Sequence, residues 1–285
     1  MTVPDRWQQP IFIASMGRSG STLLQRVLNV HPDITIWGEH GGFLSGILTS
    51  YRTTTQPAVA DNLIDGYEHR QVVVGELREK AIFKPWVSPF VPDDLQNAVR
   101  ELTTGLFTRE LDESIRWGFK EIRYNAEDLR TLLTIFPKSH MVILGREVTG
   151  YAQSRFFAFG NTDFDLETDG GRAQATKRLE TMIGGWIARY RGLLSLRDDF
   201  PNRTSVVSYG SLVPESDRAM RLFAELGEAA PNEDALLEVL GSVSGSSYKF
   251  NSRARAARGS LAELVAQANI DREEIARISE ALDLT

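Results

Sequence analysis

The sequence contains no cysteine. Disulfide bridges, thiolate metal sites and a cysteine nucleophile are therefore all excluded. It also lacks a long apolar run near its start. Met1 to Pro10 is polar, and Ile11-Phe12-Ile13-Ala14 gives way at once to Ser15 and Gly17. Such a run is too short for a signal-peptide core or a membrane span, so a cytoplasmic setting without a membrane anchor is the expectation. A basic excess is missing as well. Lysine and arginine number 32 against 38 aspartates and glutamates, for a net charge of −6. Nucleic-acid binders carry the opposite sign across a whole face, so no nucleic-acid partner is expected. A small anion in a local basic pocket stays open. No internal repeat and no low-complexity tract is found.

What is present is ordinary globular material. Of the 285 residues, 42% are hydrophobic and 25% charged. That suffices for one sizeable core with a helical annex, and it argues against a disordered chain. Ile11 to Ala14 is rich in β-formers, and Ser15 to Ser21 holds two glycines and three serines, as a tight turn does. From Thr22 the residues Leu23, Leu24, Val27 and Leu28 share one helical face, and His31-Pro32 ends it. The alternation then recurs. Strands are predicted at Arg116 to Glu121, His140 to Leu144 and Thr204 to Ser208. Helices are predicted from Ala126 to Phe136, from Val148 onward, and from Arg172 to Arg197, where apolar residues keep a 3,4 spacing. Strands alternating with helices imply an α/β fold, a parallel sheet with helices on both faces. Phe43 to about Glu113 breaks the rhythm and reads as a helical insertion. Gly160 to Gly171 is polar and reads as a lid, and the chain after about residue 214 reads as helical. The whole, 1–285, is taken as one domain.

The first chemical signal is Ser15-Met16-Gly17-Arg18-Ser19-Gly20-Ser21-Thr22. A glycine-bearing loop between a strand and a helix aims backbone N–H groups and the helix's partial positive charge at one spot, which attracts an anion. Arg18 adds a full charge, and Ser21 and Thr22 add hydroxyls. The competing explanation is a small-residue turn with Ser21 or Thr22 as a simple N-cap. A nucleoside-triphosphate loop would place lysine after Gly20 and an aspartate beyond a later strand. Here Ser21 follows Gly20, and the run Met141 to Leu144 ends in Gly145-Arg146.

Arg18-Ser19-Gly20-Ser21-Thr22-Leu23-Leu24 after a strand resembles the 5′-phosphosulfate loop of sulfotransferases that use 3′-phosphoadenosine-5′-phosphosulfate (PAPS). The bacterial, carbohydrate and tyrosylprotein enzymes with an arginine in this loop are the most similar in motif. His31-Pro32-Asp33 and Gly38-Glu39 continue the likeness to the tyrosylprotein branch. The resemblance implies a P-loop NTPase-like sulfotransferase fold and transfer of a sulfuryl group to a hydroxyl or amine. The product nucleotide would be 3′,5′-adenosine bisphosphate (PAP). Family members also carry an arginine at a strand end and a serine eight residues later for the 3′-phosphate. Arg146 and Ser154 stand at that spacing. Arginine suits the role because its planar fork of charged donors matches phosphate.

Sulfuryl transfer needs positioned reactants, a cation for the leaving phosphate oxygen and an acceptor for the incoming hydroxyl's proton. A metal is not required in principle, and none is expected. Glu39, 21 residues after Arg18, stands where the tyrosylprotein-type enzymes place a catalytic glutamate. His40 is its rival, since the cytosolic small-molecule branch uses histidine. Arg18 and Lys120 are candidates for charge stabilisation, with Arg123 close enough to share. A plainer reading of Lys120 is a strand-end lysine paired with Glu121. Gly17 to Thr22 would hold the 5′-phosphosulfate. Tyr209 stands where relatives place a tyrosine near the nucleotide. Lys249 and Arg253 lie in a run of four basic residues without an acidic one, where many relatives close a loop over the 3′-phosphate. Trp37, Phe43, Trp86 and Phe156 are candidate walls for a small-molecule or glycan acceptor. Two other classes remain: a small-molecule kinase using ATP with magnesium, and a non-catalytic sulfonucleotide-binding module. No pattern decides between a monomer and a homodimer.

Overall fold

The computed structural model describes residues 3–56, 92–158, 165–212, 217–245 and 252–284, without the side chains of 157–158, 243–245 and 252–259. Five strands form one sheet: β1 (Ile11–Ser15), β2 (Ile34–Trp37), β3 (Arg116–Lys120), β4 (His140–Gly145) and β5 (Thr204–Ser208). All neighbours are parallel, in the order β2-β3-β1-β4-β5. The helices are α1 (Ser21–Leu28), α2 (Leu44–Thr54), α3 (Pro92–Thr108), α4 (Ala126–Ile135), α5 (Val148–Ala158), α6 (Asp169–Asp199), α7 (Asp217–Glu225), α8 (Glu233–Gly245), α9 (Ser252–Gln267) and α10 (Arg272–Ala281). No described helix is long and apolar enough to cross a membrane.

Side chains of a strand alternate between faces, and both faces here are covered. Phe12 and Ala14 of β1 join a core with Trp117, Phe119, Met141 and Ile143, roofed by α2 to α6, α9 and α10. Ile11 and Ile13 point the other way, into a core closed by α1, α7 and α8. A fully buried side chain such as Phe12 or Leu24 contributes about 2 kcal/mol. The predicted α/β architecture is therefore the observed one. The long helix α6 extends the predicted span by three residues at its start and two at its end.

Two local expectations change. β2 was not among the predicted strands. It has four residues, of which only Ile34 and Ile36 are buried while Trp37 is exposed, so its alternation is too short to stand out. The segment read as a lid does not reach Gly171. Gly170 and Gly171 form the first turn of α6, where the Thr168 hydroxyl accepts the Gly171 N–H at 3.1 Å. Residues 159–164 of that segment lie outside those described.

The topology matters for chemistry. β1 is central, flanked by β3 and β4, and the chain reverses its order across the sheet there. Ligands of open parallel sheets bind beyond the carboxyl ends of strands at such a reversal. Arg18, Glu39, Arg123, Arg146 and Tyr209 all follow the carboxyl end of a strand, on a single sheet edge.

Candidate active site

The turn after β1 carries two left-handed residues and leads into a helix without a side-chain cap. The Ser19 N–H donates to the Met16 carbonyl at 3.2 Å, and both Arg18 (φ 73°) and Gly20 (φ 93°) adopt left-handed backbone. Gly20 is the N-cap of α1, and no side chain caps that helix. By contrast, Asn125, Thr168 and Asp271 cap α4, α6 and α10. Ser21 and Thr22 are inside the first turn, so the reading of either as a simple N-cap is overturned. A methyl group on Gly20 would lie 2.2 Å from Tyr209 Cδ2. Only glycine satisfies both the left-handed backbone and that contact.

The loop is anchored from below by two side chains that the pattern of α6 did not single out for function. Tyr190 Oη donates to the Leu144 carbonyl at 2.9 Å, which leaves it to accept from Ser19 Oγ at 3.0 Å. Burial raises the Tyr190 pKa, as befits a hydroxyl kept protonated for these bonds. Ser19, expected as an anion ligand, thus spends its hydroxyl on the core. Arg189 donates through Nε and Nη2 to the Ser15 carbonyl at 3.2 and 3.1 Å and through Nη1 to that of Tyr124.

Arg146 leaves β4 and turns back to the same loop. Its Nη1 donates to the Arg18 carbonyl at 2.8 Å, and its guanidinium lies 4.7 Å from the centre of the Tyr209 ring. The Arg146 carbonyl in turn accepts from the Trp186 indole at 3.1 Å. Arg18 Nε donates to Ser154 Oγ on α5 at 3.4 Å. Arg18, Arg146, Ser154, Gly20 and Tyr209 therefore form one contiguous group. Burial lowers the Arg146 pKa and the charge of Arg18 adds to this, against the opposing influence of Tyr209 and Glu147. A desolvated guanidinium beside a like charge is relieved by an incoming anion. The N-terminus of α5 is already satisfied, because the Glu147 carboxylate accepts the N–H groups of Thr149, at 2.8 Å, and Gly150. Arg155, next to Ser154, borders Gly17: its Nη1 lies 3.7 Å from where a Cβ there would sit.

On the other side of the loop stands a second charged cluster. Lys120, only 5% exposed, donates to Glu39 Oε1 at 2.8 Å and reaches Thr22 Oγ1 at 3.4 Å. Its ion-pair partner is Glu39 and not the adjacent Glu121, which replaces the plainer reading of that lysine. Arg123 Nη1 donates to Glu39 Oε2 and to Glu121 Oε1, both at 3.0 Å. Glu121, which sequence reasoning did not propose for the site, is fully buried.

His40 is differently placed. Its ring lies edge-on to Phe43, Phe107 and Phe119 and contacts Tyr124. Nε2 is hydrogen-bonded to Tyr124 Oη, while Nδ1 is 4.0 Å from Glu121 Oε2 and has no hydrogen-bond partner. Burial lowers its pKa, with Glu121 opposing. Trp37 and Phe43 are 39% and 46% exposed, whereas Phe156 is 2% exposed and cannot line an open surface. Trp86, Lys249 and the Arg253 side chain lie outside the described residues.

Comparison with known protein families matches residues 10–228 to the family described as sulfotransferases. The chain belongs to the sulfotransferase family. No curated protein matches this sulfotransferase-family chain. Similar solved structures include the sulfotransferase domain of the Synechococcus PCC 7002 olefin synthase, at 20% identity, covering 84% of this chain and 80% of that one, with a TM-score of 0.44. A sulfotransferase from Mycobacterium avium is 13% identical over 100% of this chain and 78% of its own, with a TM-score of 0.48. A mouse sulfotransferase complexed with PAP is 15% identical over 86% and 68%, with a TM-score of 0.46.

Proposed function

We propose that this chain transfers a sulfuryl group from PAPS to the hydroxyl or amine of an acceptor, with Glu39 taking the acceptor's proton. The observation that carries this reading is the position of Lys120. Its amine joins Thr22, in the first turn of the uncapped helix, to the Glu39 carboxylate. An anion site and a proton acceptor are thus held one lysine apart.

The residues fit the donor. Gly17, Arg18 and Gly20 to Thr22 offer backbone N–H groups, the Ser21 and Thr22 hydroxyls and the start of a helix to a 5′-phosphosulfate, while Ser19 holds the loop to Met16 and Tyr190. Arg146 and Ser154 offer a charged fork and a hydroxyl to a 3′-phosphate. Gly20 leaves the Tyr209 ring in direct contact with the loop, an aromatic surface suited to a nucleotide. The donor, when bound, supplies a sulfuryl group already joined to a phosphate leaving group. The protein's part is positional and electrostatic. Glu39 receives the acceptor proton as the acceptor's oxygen or nitrogen bonds to sulfur. Lys120 offsets the negative charge that gathers on the departing phosphate oxygen, whereas Arg18, expected to share that role, is bonded to Ser154 and adds its charge on the 3′-phosphate side. Trp37 and Phe43, on either side of Glu39 in sequence, offer the acceptor an apolar rim. The helices α2, α3, α9 and α10 share the core beneath the site, which supports a single domain.

Calorimetric titration separates this reading from a kinase, and formation of a sulfated acceptor separates it from a non-catalytic sulfonucleotide-binding module. The proposal expects PAP to bind without magnesium and more tightly than ATP with magnesium. Magnesium-dependent ATP binding without PAP affinity is the result expected of a kinase, and it would overturn the proposal.

A further inference from the structure

Resting on Glu39 as the proton acceptor, we propose that Glu121 is a positioning residue for that chemistry, setting both the place of Glu39 and the share of Arg123 that Glu39 receives. A buried carboxylate is costly unless its oxygens are satisfied. Those of Glu121 are satisfied by the segment that carries Glu39 and by the arginine that touches it. Oε2 accepts the backbone N–H groups of His40, at 3.1 Å, and Gly42, at 2.8 Å. Oε1 accepts the Arg123 N–H at 3.1 Å and its Nη1 at 3.0 Å. Burial on its own would raise the Glu121 pKa, but the N–H donors of Gly42, Arg123 and His40 hold it below the usual glutamate value. The carboxylate is thus a fixed negative charge.

Three consequences follow from that geometry. The turn after β2 has left-handed backbone at Gly41 (φ 74°) and Gly42 (φ 69°), and Glu121 clasps it at His40 and Gly42, starting one residue beyond Glu39. Lys120, the other partner of Glu39, is the last residue of β3 and immediately precedes Glu121. Arg123 Nη1 is divided between two carboxylates, whose oxygens therefore lie at most 6 Å apart. Glu121 competes for that nitrogen, so Glu39 is oriented by Arg123 without holding it outright. Removing the competing charge frees both the turn and the arginine to close on Glu39.

Glu121 touches neither reacting group, so its effect belongs to turnover and not to nucleotide binding. In a steady-state assay with PAPS and any acceptor that the wild type sulfates, Glu121→Gln is expected to lower kcat about 100-fold, the scale of an ångström-sized misplacement. PAP affinity by calorimetry is expected to stay at the wild-type value. Glu121→Asp keeps the charge and is expected to recover part of kcat, and it carries the test should the glutamine variant not fold. The double variant Glu39→Gln/Glu121→Gln is expected to lose no more than Glu39→Gln, because both changes act on one unit. Additive losses, unchanged kcat, or a parallel fall in PAP affinity would each overturn the positioning role. Failure of the underlying reading looks different: Glu39→Gln itself would then turn over normally.

Discussion

Glu39→Gln is expected to lower kcat by about 10²- to 10⁴-fold, the range of a lost general base, while PAP binds as before. Glutamine keeps the shape and can still accept a hydrogen bond from Lys120, so the anion site beside Thr22 is not disturbed. What it cannot do is take a proton. Steady-state turnover and PAP titration on the same preparation give both numbers. Near-normal turnover would pass the role to His40 or elsewhere. The surroundings of His40 weigh against it. One ring nitrogen is bonded to Tyr124, the other has no hydrogen-bond partner and faces Glu121, and burial disfavours the protonated ring. Burial makes this ring a weaker base, with Glu121 opposing.

Arg146→Ala is expected to weaken PAP binding by about 2–4 kcal/mol, or about 30- to 1000-fold, as for the loss of a desolvated charge-assisted contact. Part of that loss comes through the loop, because Arg146 Nη1 holds the Arg18 carbonyl at 2.8 Å. Arg146→Lys separates the two contributions. It keeps the charge but loses the planar fork, and its affinity is expected between those of the wild type and the alanine variant. Titration by calorimetry at one fixed salt concentration measures all three. An alanine variant with unchanged affinity would remove Arg146 from the nucleotide site.

The parts of the architecture that were legible in the sequence depend on local pattern. The run from Ile11 to Ala14, the glycines at 17 and 20 and the leucines of α1 announce a strand, a turn and a helix within 18 residues. β4 and α6 carry enough apolar residues for their period to be read directly. β2 does not, since four residues with two inward isoleucines resemble many loop segments. The site divides along the same line. Arg18 and Arg146 follow strands, Lys120 ends one, and all three could be found by position. Arg189 and Tyr190 could not, because they act on Ser15 and Ser19, 174 and 171 residues away. Within a helix they read only as one more polar and one more apolar position. Glu121 was hidden for a related reason. Its partners are backbone N–H groups at 40 and 42, which leave no trace in side-chain chemistry. Ser19 and Phe156 show the converse. Their residue types suited a ligand site, and packing turned both inward.

The central claim is that one nucleotide lies across this sheet edge with its two phosphate ends apart. A crystal structure of the protein with PAP tests it most directly. The 3′-phosphate is predicted within hydrogen-bond distance of Arg146 and Ser154, and the 5′-phosphate against the amides at the start of α1, on the side of Lys120. Nucleotide bound elsewhere, or in the reverse sense, would contradict the account.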